Sequence, residues 1–478
     1  MKRLIAALVC LMLVMATGVG FAQDKKFGLE DIPEIQNKRA LTLILETGEG
    51  YSKVLPAIER FTEKTGVKVN VERIASSGVY GKENVELMAG TGYYDLVYVE
   101  TSWTTEWSDY LWDLEELAST YDPGGAAALR EDLAHMSPAI LASGQAYGKQ
   151  MVLPFYTFDM CMWIRQDVFD DPTEQANFKA KYGYDLKPAE TWEELVDQGE
   201  FFTRKKGELL KGEPLDHDIF GLSMQAGAYQ CNDETSARLW SMGSDWVTVV
   251  RDEEGNLKEF VITKENKEAL RKALENYKEC LKYDSPSALT ANFDFVVAQF
   301  GNGNAIICPT IWANCSIWAE GILREKVPEG RIGIYPSPGG RPYTGAWSYG
   351  VGKATRNPEA AYWLLRWLTS YECGKIVFNE GMVPGRSDVL EEVAKTAEYP
   401  HKQLAEFHID IWKVMAPHIP DYYYFNTKAG GKVYDMQIYA ISKALTGEQT
   451  IDQVIDYITK QTVELTSKFD HIPIREEI

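Results

Sequence analysis

Histidine is scarce in this chain, six residues in 478, and no two stand four apart as ligands on one helix face would. No C-x-x-C occurs, so zinc-ribbon and thioredoxin-type readings have no support. G-x-S-x-G is missing, no glycine set precedes a Lys-Ser/Thr pair, and no histidine is placed with a nucleophile. A serine triad or nucleotide chemistry is therefore not indicated, no metal or cofactor is expected, and no catalytic residue is nominated. Positive charge is also short. Lys and Arg number 49 against 70 Asp and Glu, a net charge of −21 that repels nucleic-acid phosphates and anionic lipid. Past residue 22 no apolar run approaches the ~20 residues that crossing a membrane requires.

What is present begins with a leader-like segment. Lys2 and Arg3 precede an apolar run over 4–14 and the small-x-small exit Gly20-Phe21-Ala22, the pattern of a secretory signal peptide cut before Gln23. Cys10 as a lipoprotein cysteine is the weaker alternative, because it lies inside the apolar run behind Val9. Without Lys2 and Arg3 the net charge of −21 becomes −23. An acidic surface that keeps an exported protein dissolved is a commoner reason for this than a funnel for cations. Six cysteines follow the leader, Cys161, Cys231, Cys280, Cys308, Cys315 and Cys373, and sequence does not choose among their pairings. The length and a hydrophobic content of 45% imply large cores and two or more domains.

The stretch YYDLVYVETSWTTEWSDYLWDL, residues 93–114, changes character midway. Residues 95–99 are apolar and rich in Val and Tyr, as in a buried parallel strand. Glu100, Thr101, Ser102 and Trp103 then put a carboxylate, two hydroxyls and an indole past the strand's carboxyl end, where open α/β sheets bind ligands. A carboxylate beside an aromatic plane can accept two sugar hydroxyls while a pyranose face stacks on the ring. Glu100 and Trp103 are therefore candidate ligand contacts, with an acidic helix cap as the competing role. The strand expected over 41–45 opens into a Gly-broken loop that offers Glu49 and Tyr51 on the same grounds.

A helix with Val54, Leu55, Ile58 and Phe61 on one face should end at Gly66. A strand over 67–71 and a short helix over 84–89 complete a β-α-β-α-β order that predicts a parallel sheet. Further on, a strand over 160–164 follows Pro154, and Thr191 with Glu194 makes the capping box of a helix within 188–205. A long amphipathic helix is expected between 252 and 283, after the turn 253–256. A strand over 305–308 should stop at Pro309. Strands 331–335 and 349–352, a helix over 357–369, a loop over 381–390 and helices 432–445 and 451–469 complete the pass.

Seven segments stand in a distinctive order: DLVYVETSW (95–103), GKQMVLPFYTFDMCMWIRQDVF (148–169), PAETWEELVDQGEFFT (188–203), FGNGNAIICPTIW (300–312), GAWSYGVGKATRNPEAAYWLLRWLTS (345–370), MVPGRSDVL (382–390) and ALTGEQTIDQVID (444–456). The ordered set resembles the family 1 extracellular solute-binding proteins, the maltose-binding-protein-like periplasmic sugar-binding components of ABC importers, over about 41–469. One departure is Pro309-Thr310-Ile311-Trp312-Ala313-Asn314 in place of the family's usual Gly-Ser-Trp.

The resemblance implies an α/β fold of two discontinuous α/β lobes with a hinge, periplasmic binding protein-like, type II. The implied division is a signal peptide over 1–22, an N-terminal arm over 23–40, lobe 1 from 41–152 and 330–378, and lobe 2 from 153–329 and 379–478. It also implies a carbohydrate or polyol ligand in the interlobe cleft, hinge closure, an ABC-importer membrane permease as partner, and a periplasmic monomer that is not an enzyme. By the same resemblance Tyr156 and Asp159 lie where the chain crosses between lobes, and Trp312 matches the aromatic after the second lobe's strand. Trp347 would face the cleft, and Tyr434 falls on an aromatic position of the C-terminal helix. Arg386 can offer a bidentate pair to a carboxylate or hydroxyls, with a structural salt bridge as the competing role. The alternatives are a membrane-sensor partner, a polyamine-type ligand, which the acidic balance favours, and a secreted glycosidase, which needs only two carboxylates across a cleft.

Overall fold

The computed structural model describes residues 26–47, 49–227 and 230–477; the leader, Cys10 and the cleavage site before Gln23 lie outside the described residues, as does the side chain of Glu49. Apolar runs bounded by turns supply eight strands of one sheet: β1 Leu41–Glu46, β2 Val69–Ile74, β3 Leu96–Glu100, β4 Val152–Arg165, β5 Phe220–Leu222, β6 Ala305–Trp312, β7 Ile332–Tyr335 and β8 Thr344–Val351. Their order is β2-β1-β3-β8-β4-β6-β5, with β7 also paired to β4. β1 is parallel to β2 and β3, as the β-α-β-α-β order predicts. β8 runs antiparallel to both β3 and β4, so the sheet as a whole is mixed.

β4 joins two cores. Its Leu153, Phe155 and Tyr156 pack with β1, β3 and the helix Pro358–Leu368 in the smaller core. Its Met160 to Ile164 pair with β6 and β7 and pack in the larger core, among the helices Cys231–Ser241, Lys264–Cys280 and Gly430–Thr446. Two cores on one continuous sheet make two lobes. β7, which the boundary at 330 put in the first lobe, places Ile332 and Ile334 in the larger core.

Several elements differ from expectation, each for a local reason. β4 is 14 residues long and runs through Pro154. Its register with β8 passes from Tyr156 directly to Pro154, so the ring without an N–H falls at a bulge, where no ladder donor is required. β6 passes Pro309 in the same way, its register shifting between Cys308 and Ile311, and it ends at Trp312 instead of stopping at 309. The single helix expected between 252 and 283 is a strand, Leu257–Ile262, followed by the helix Lys264–Cys280, because Phe260, Val261 and Ile262 pair with neighbours and Thr263 caps the helix. The helix expected from 84 begins at Ser76, and the loop expected over 381–390 gives way to a helix at Ser387. The capping box of Thr191 and Glu194 is present, and Gly66 ends its helix at φ 71°, a conformation that suits glycine. All six described cysteines are buried and unpaired. No helix among the described residues is long and apolar enough to cross a membrane.

Candidate functional site

Between the two cores lies a cavity of ≈ 310 Å³. Strand register builds its floor. Trp347 of β8 stands opposite Glu100 of β3 on one side and Tyr156 of β4 on the other, and directly paired residues share a face, so three residues distant in sequence form one row. Beside them Glu46, the last residue of β1, accepts the hydroxyls of Tyr98 at 2.8 Å and Tyr156 at 2.9 Å, and Tyr51 bonds Tyr156 at 2.8 Å. Burial raises the Glu46 pKa, and the tyrosine hydroxyls oppose that rise.

Glu100 is less completely satisfied. One oxygen accepts the Ser102 amide at 3.2 Å and the Ser102 hydroxyl, capping the turn Thr101–Trp103. The other oxygen, Oε1, is buried without a hydrogen-bond partner, and burial pushes the carboxyl pKa up to about 7. Glu100 thus caps a turn and lines the cavity at once. Trp103 meets Trp347 edge-on at 5.4 Å and Tyr80 at 5.0 Å, while Trp347 stacks on Tyr98 at 4.7 Å. These interlocked rings fix an aromatic wall.

The larger lobe supplies the other wall. Trp312 lies edge-on to Phe158 at 5.3 Å, and the Tyr434 hydroxyl donates to Asp233 Oδ1 at 2.6 Å. Burial holds the Asp233 carboxyl well above the usual carboxylate range, and the charge of Glu100 adds to the rise. Gln230 Oε1 and Asn314 Oδ1 are buried in this wall with no hydrogen-bond partner.

Of the residues nominated from sequence, Tyr51, Glu100, Trp103, Tyr156, Trp312, Trp347 and Tyr434 line the cavity. Asp159 does not. Side chains alternate along a strand, so Tyr156 and Phe158 face the cavity and Asp159 faces away, bonded to the Thr344 hydroxyl and to Trp412 Nε1 at 2.9 Å. Arg386 also lies elsewhere, buried between Asp132 at 2.9 Å and Asp388 at 2.9 Å, which is the structural salt bridge. Glu49 begins a short helix, Glu49–Ser52, with its side chain outside the described residues.

Sequence reading missed Glu46, Tyr80, Asp233 and Tyr343, all on the cavity wall. Glu46 was within reach, because it ends β1 as Glu100 ends β3. Asp233 sits in the first turn of the helix Cys231–Ser241, in a stretch without a clear periodic signal. Among the described residues no group of His, Cys, Asp and Glu has the arrangement of a metal site. Aromatic planes with buried acceptors between them suit a ligand rich in hydrogen-bond donors.

The fold matches solved structures over almost its whole length. T. maritima MalE3 with maltose bound is 21% identical at a TM-score of 0.66, over 90% of this chain and 100% of that one. An ABC transporter solute-binding protein from Agrobacterium radiobacter K84 in complex with ribitol is 18% identical at 0.65, over 91% and 100%. One from Agrobacterium vitis S4 with bound D-mannitol is 18% identical at 0.64, over 90% and 99%. At such identities the likeness is one of fold, and no curated protein matches the sequence. The family model for bacterial extracellular solute-binding proteins matches residues 46–372, from the carboxylate that ends β1, through the cleft floor and past β8, and the chain belongs to that family.

Proposed function

We propose that the chain is the exported substrate-binding protein of an ABC importer, which takes a sugar or polyol into the interlobe cleft, closes on it and delivers it to the membrane permease. The observation that carries this reading is the set of buried, unpartnered acceptors on both walls, Glu100 Oε1 from one lobe and Gln230 Oε1 and Asn314 Oδ1 from the other. Each such atom costs roughly 1–3 kcal/mol while unbonded. Ligand hydroxyls remove that cost, and the rings of Trp103, Trp347 and Trp312 take the C–H faces. Maltose, ribitol and D-mannitol in the structural relatives support the same ligand class. The cavity is at the small end of the about 300–1,000 Å³ typical of ligand pockets, which suits one or two sugar rings.

Closure needs a hinge and contacts that can part. β4 and β8 cross between the cores at Asp159 and Thr344 and serve as the hinge. At the rim Lys428 Nζ lies 2.5 Å from the exposed Asp109 Oδ2, an ion pair weak enough to open in water, while Lys432 Nζ lies 2.5 Å from Glu106 Oε1, which is largely buried. The protein acts as a periplasmic monomer and as a binder, with no turnover of its ligand.

The test is a melting and calorimetric screen over mono- and disaccharides and polyols. A ligand-dependent rise in Tm with the ligand recovered unchanged is the expected result. Release of a cleavage product would sink the binding reading and favour a glycosidase. Stimulation of ATP hydrolysis by a reconstituted importer separates transport from docking on a membrane sensor.

A further inference from the structure

The charges that face the cleft are all of one sign. Glu46, Glu100, Asp233 and Asp435 line it, and among the described lining residues there is no Lys, Arg or His. The nearest cations are engaged elsewhere. Lys432 pairs with Glu106, and Arg73 Nε donates to the Glu46 main-chain carbonyl at 2.9 Å and its NH1 to Ser52 Oγ at 3.1 Å. Glu46 is bonded by two tyrosine hydroxyls and Asp435 is exposed to water, so the buried carboxylates left for a ligand are Glu100 and Asp233, one from each lobe.

A neutral polyol would satisfy the open acceptors but would leave these two carboxylates facing one another as water is expelled. Burying like charges without a counter-charge is expensive enough that such groups give up ionisation. The upward shifts at Glu100 and Asp233, the second partly caused by the first, agree with that conflict in the empty cleft. A ligand ammonium removes it. Its N–H donors match the open oxygens of Glu100, Gln230 and Asn314, the last two only 3% and 7% exposed, and its charge is compatible with the surrounding ring faces. The acidic surface of the whole chain would also draw a cation in.

We propose that the natural ligand is cationic, a protonated primary amine carried on a polyhydroxylated frame, such as an amino sugar or amino polyol, with its ammonium seated between Glu100 and Asp233 beside Gln230 and Asn314. Anionic sugars are excluded, because no basic side chain meets them; the N-terminus of the helix Ser76–Ala89 at the cleft brings only partial charge. This rests on the reading of the cleft as a sugar or polyol site.

The experiment is calorimetry on the whole chain with matched probes: D-glucosamine, D-galactosamine and 1-amino-1-deoxysorbitol, each against its hydroxyl counterpart, with N-acetyl-D-glucosamine, D-glucuronate and spermidine as further arms. The expected result is that at least one amine binds about 10-fold or more tighter than its counterpart, and that Glu100→Gln and Asp233→Asn each remove most of that preference. Using both variants guards against one of them failing to fold, and circular dichroism reports which does. Neutral members binding as tightly as their amines, or tight binding of D-glucuronate, overturns the cationic ligand while the sugar site stands. Binding of spermidine without any sugar or polyol overturns the sugar site while the cationic cleft stands. Binding by none of the probes overturns both.

Discussion

Glu100 in the cleft and Asp159 at the crossing between lobes are both buried carboxyl groups that burial pushes up to about 7, yet their surroundings differ in kind. Asp159 accepts the Thr344 hydroxyl at Oδ1 and Trp412 Nε1 at Oδ2, and His408 Nε2 stands 3.4 Å from that same Oδ2. His408 Nδ1 lies 3.0 Å from the Leu404 carbonyl, which can only accept, so Nδ1 carries the proton and Nε2 is an acceptor turned toward the carboxyl. Burial keeps that imidazole neutral, its pKa held down to about 4. Both oxygens of Asp159 are thus bonded within the protein, while His408 Nε2 is left without a partner. Glu100 retains an oxygen that nothing in the protein meets. A shifted pKa therefore marks burial in both regions, and what separates the two carboxyls is that both oxygens of Asp159 are bonded within the protein while one oxygen of Glu100, on the cavity wall, is not.

The largest effect that separates the two kinds of group is expected far from the cleft. Arg386→Ala leaves Asp132 with Arg366 alone and Asp388 with Lys26 alone, and should cost about 3 kcal/mol of stability in urea denaturation, the low end for a broken buried pair. Affinity of the folded fraction should stay unchanged; weakened binding would return Arg386 to the site. Trp312→Ala comes next, with about 2 kcal/mol or more of binding energy lost by calorimetry, roughly 30-fold in Kd, while the circular dichroism spectrum persists. Unchanged affinity would remove Trp312 from the ligand surface.

Asp159→Asn should cost about 1–3 kcal/mol of stability, since an amide cannot match Thr344, Trp412 and His408 together. Its Kd should stay within about 2-fold of the parent. If Asp159→Asn weakens binding as much as Trp312→Ala, the contrast between crossing and cleft collapses.

The smallest effect is in pH. A carboxyl whose folded pKa is about 7 and whose ordinary value is 4.5 holds its proton more tightly when folded, so its contribution is complete below pH 4.5 and is lost as pH rises to 7. Asp159 has the same sign. His408, depressed from 6.5 to about 4, has the opposite sign, so between about pH 4 and 6.5 that pair binds equal numbers of protons folded and unfolded. Glu100 faces Ser102 and Asp233, and Asp233 adds to its effect instead of cancelling it. The Tm of the ligand-free protein should fall between about pH 5 and about pH 8, and Glu100→Gln should reduce the fall. An identical slope in the variant would assign it to the other buried carboxyls.

Much of the local structure was legible because its signals are local. Thr191 and Glu194 meet within one helical turn, Gly66 needs a left-handed backbone, and the change from Val99 to Glu100 marks where a strand ends. The same local view misjudged Pro154 and Pro309, because a proline breaks a strand unless a partner strand bulges around it. It also joined Asp159 to Tyr156, although an interval of three places them on opposite faces of β4.

By itself the sequence determined the α/β pattern, the acidic balance, the aromatic and acidic residue types at strand ends, and the order of segments that marks the family. Tertiary structure alone decided which of those residues meet: the row of Glu100, Trp347 and Tyr156, the facing of Asp233 from the other lobe, and the bonding of Asp159 to Thr344 and Trp412. Propensity and capping act over a few residues along the chain, while strand register and lobe packing are set by pairings between residues far apart in it, and no local pattern records which partner each strand will find.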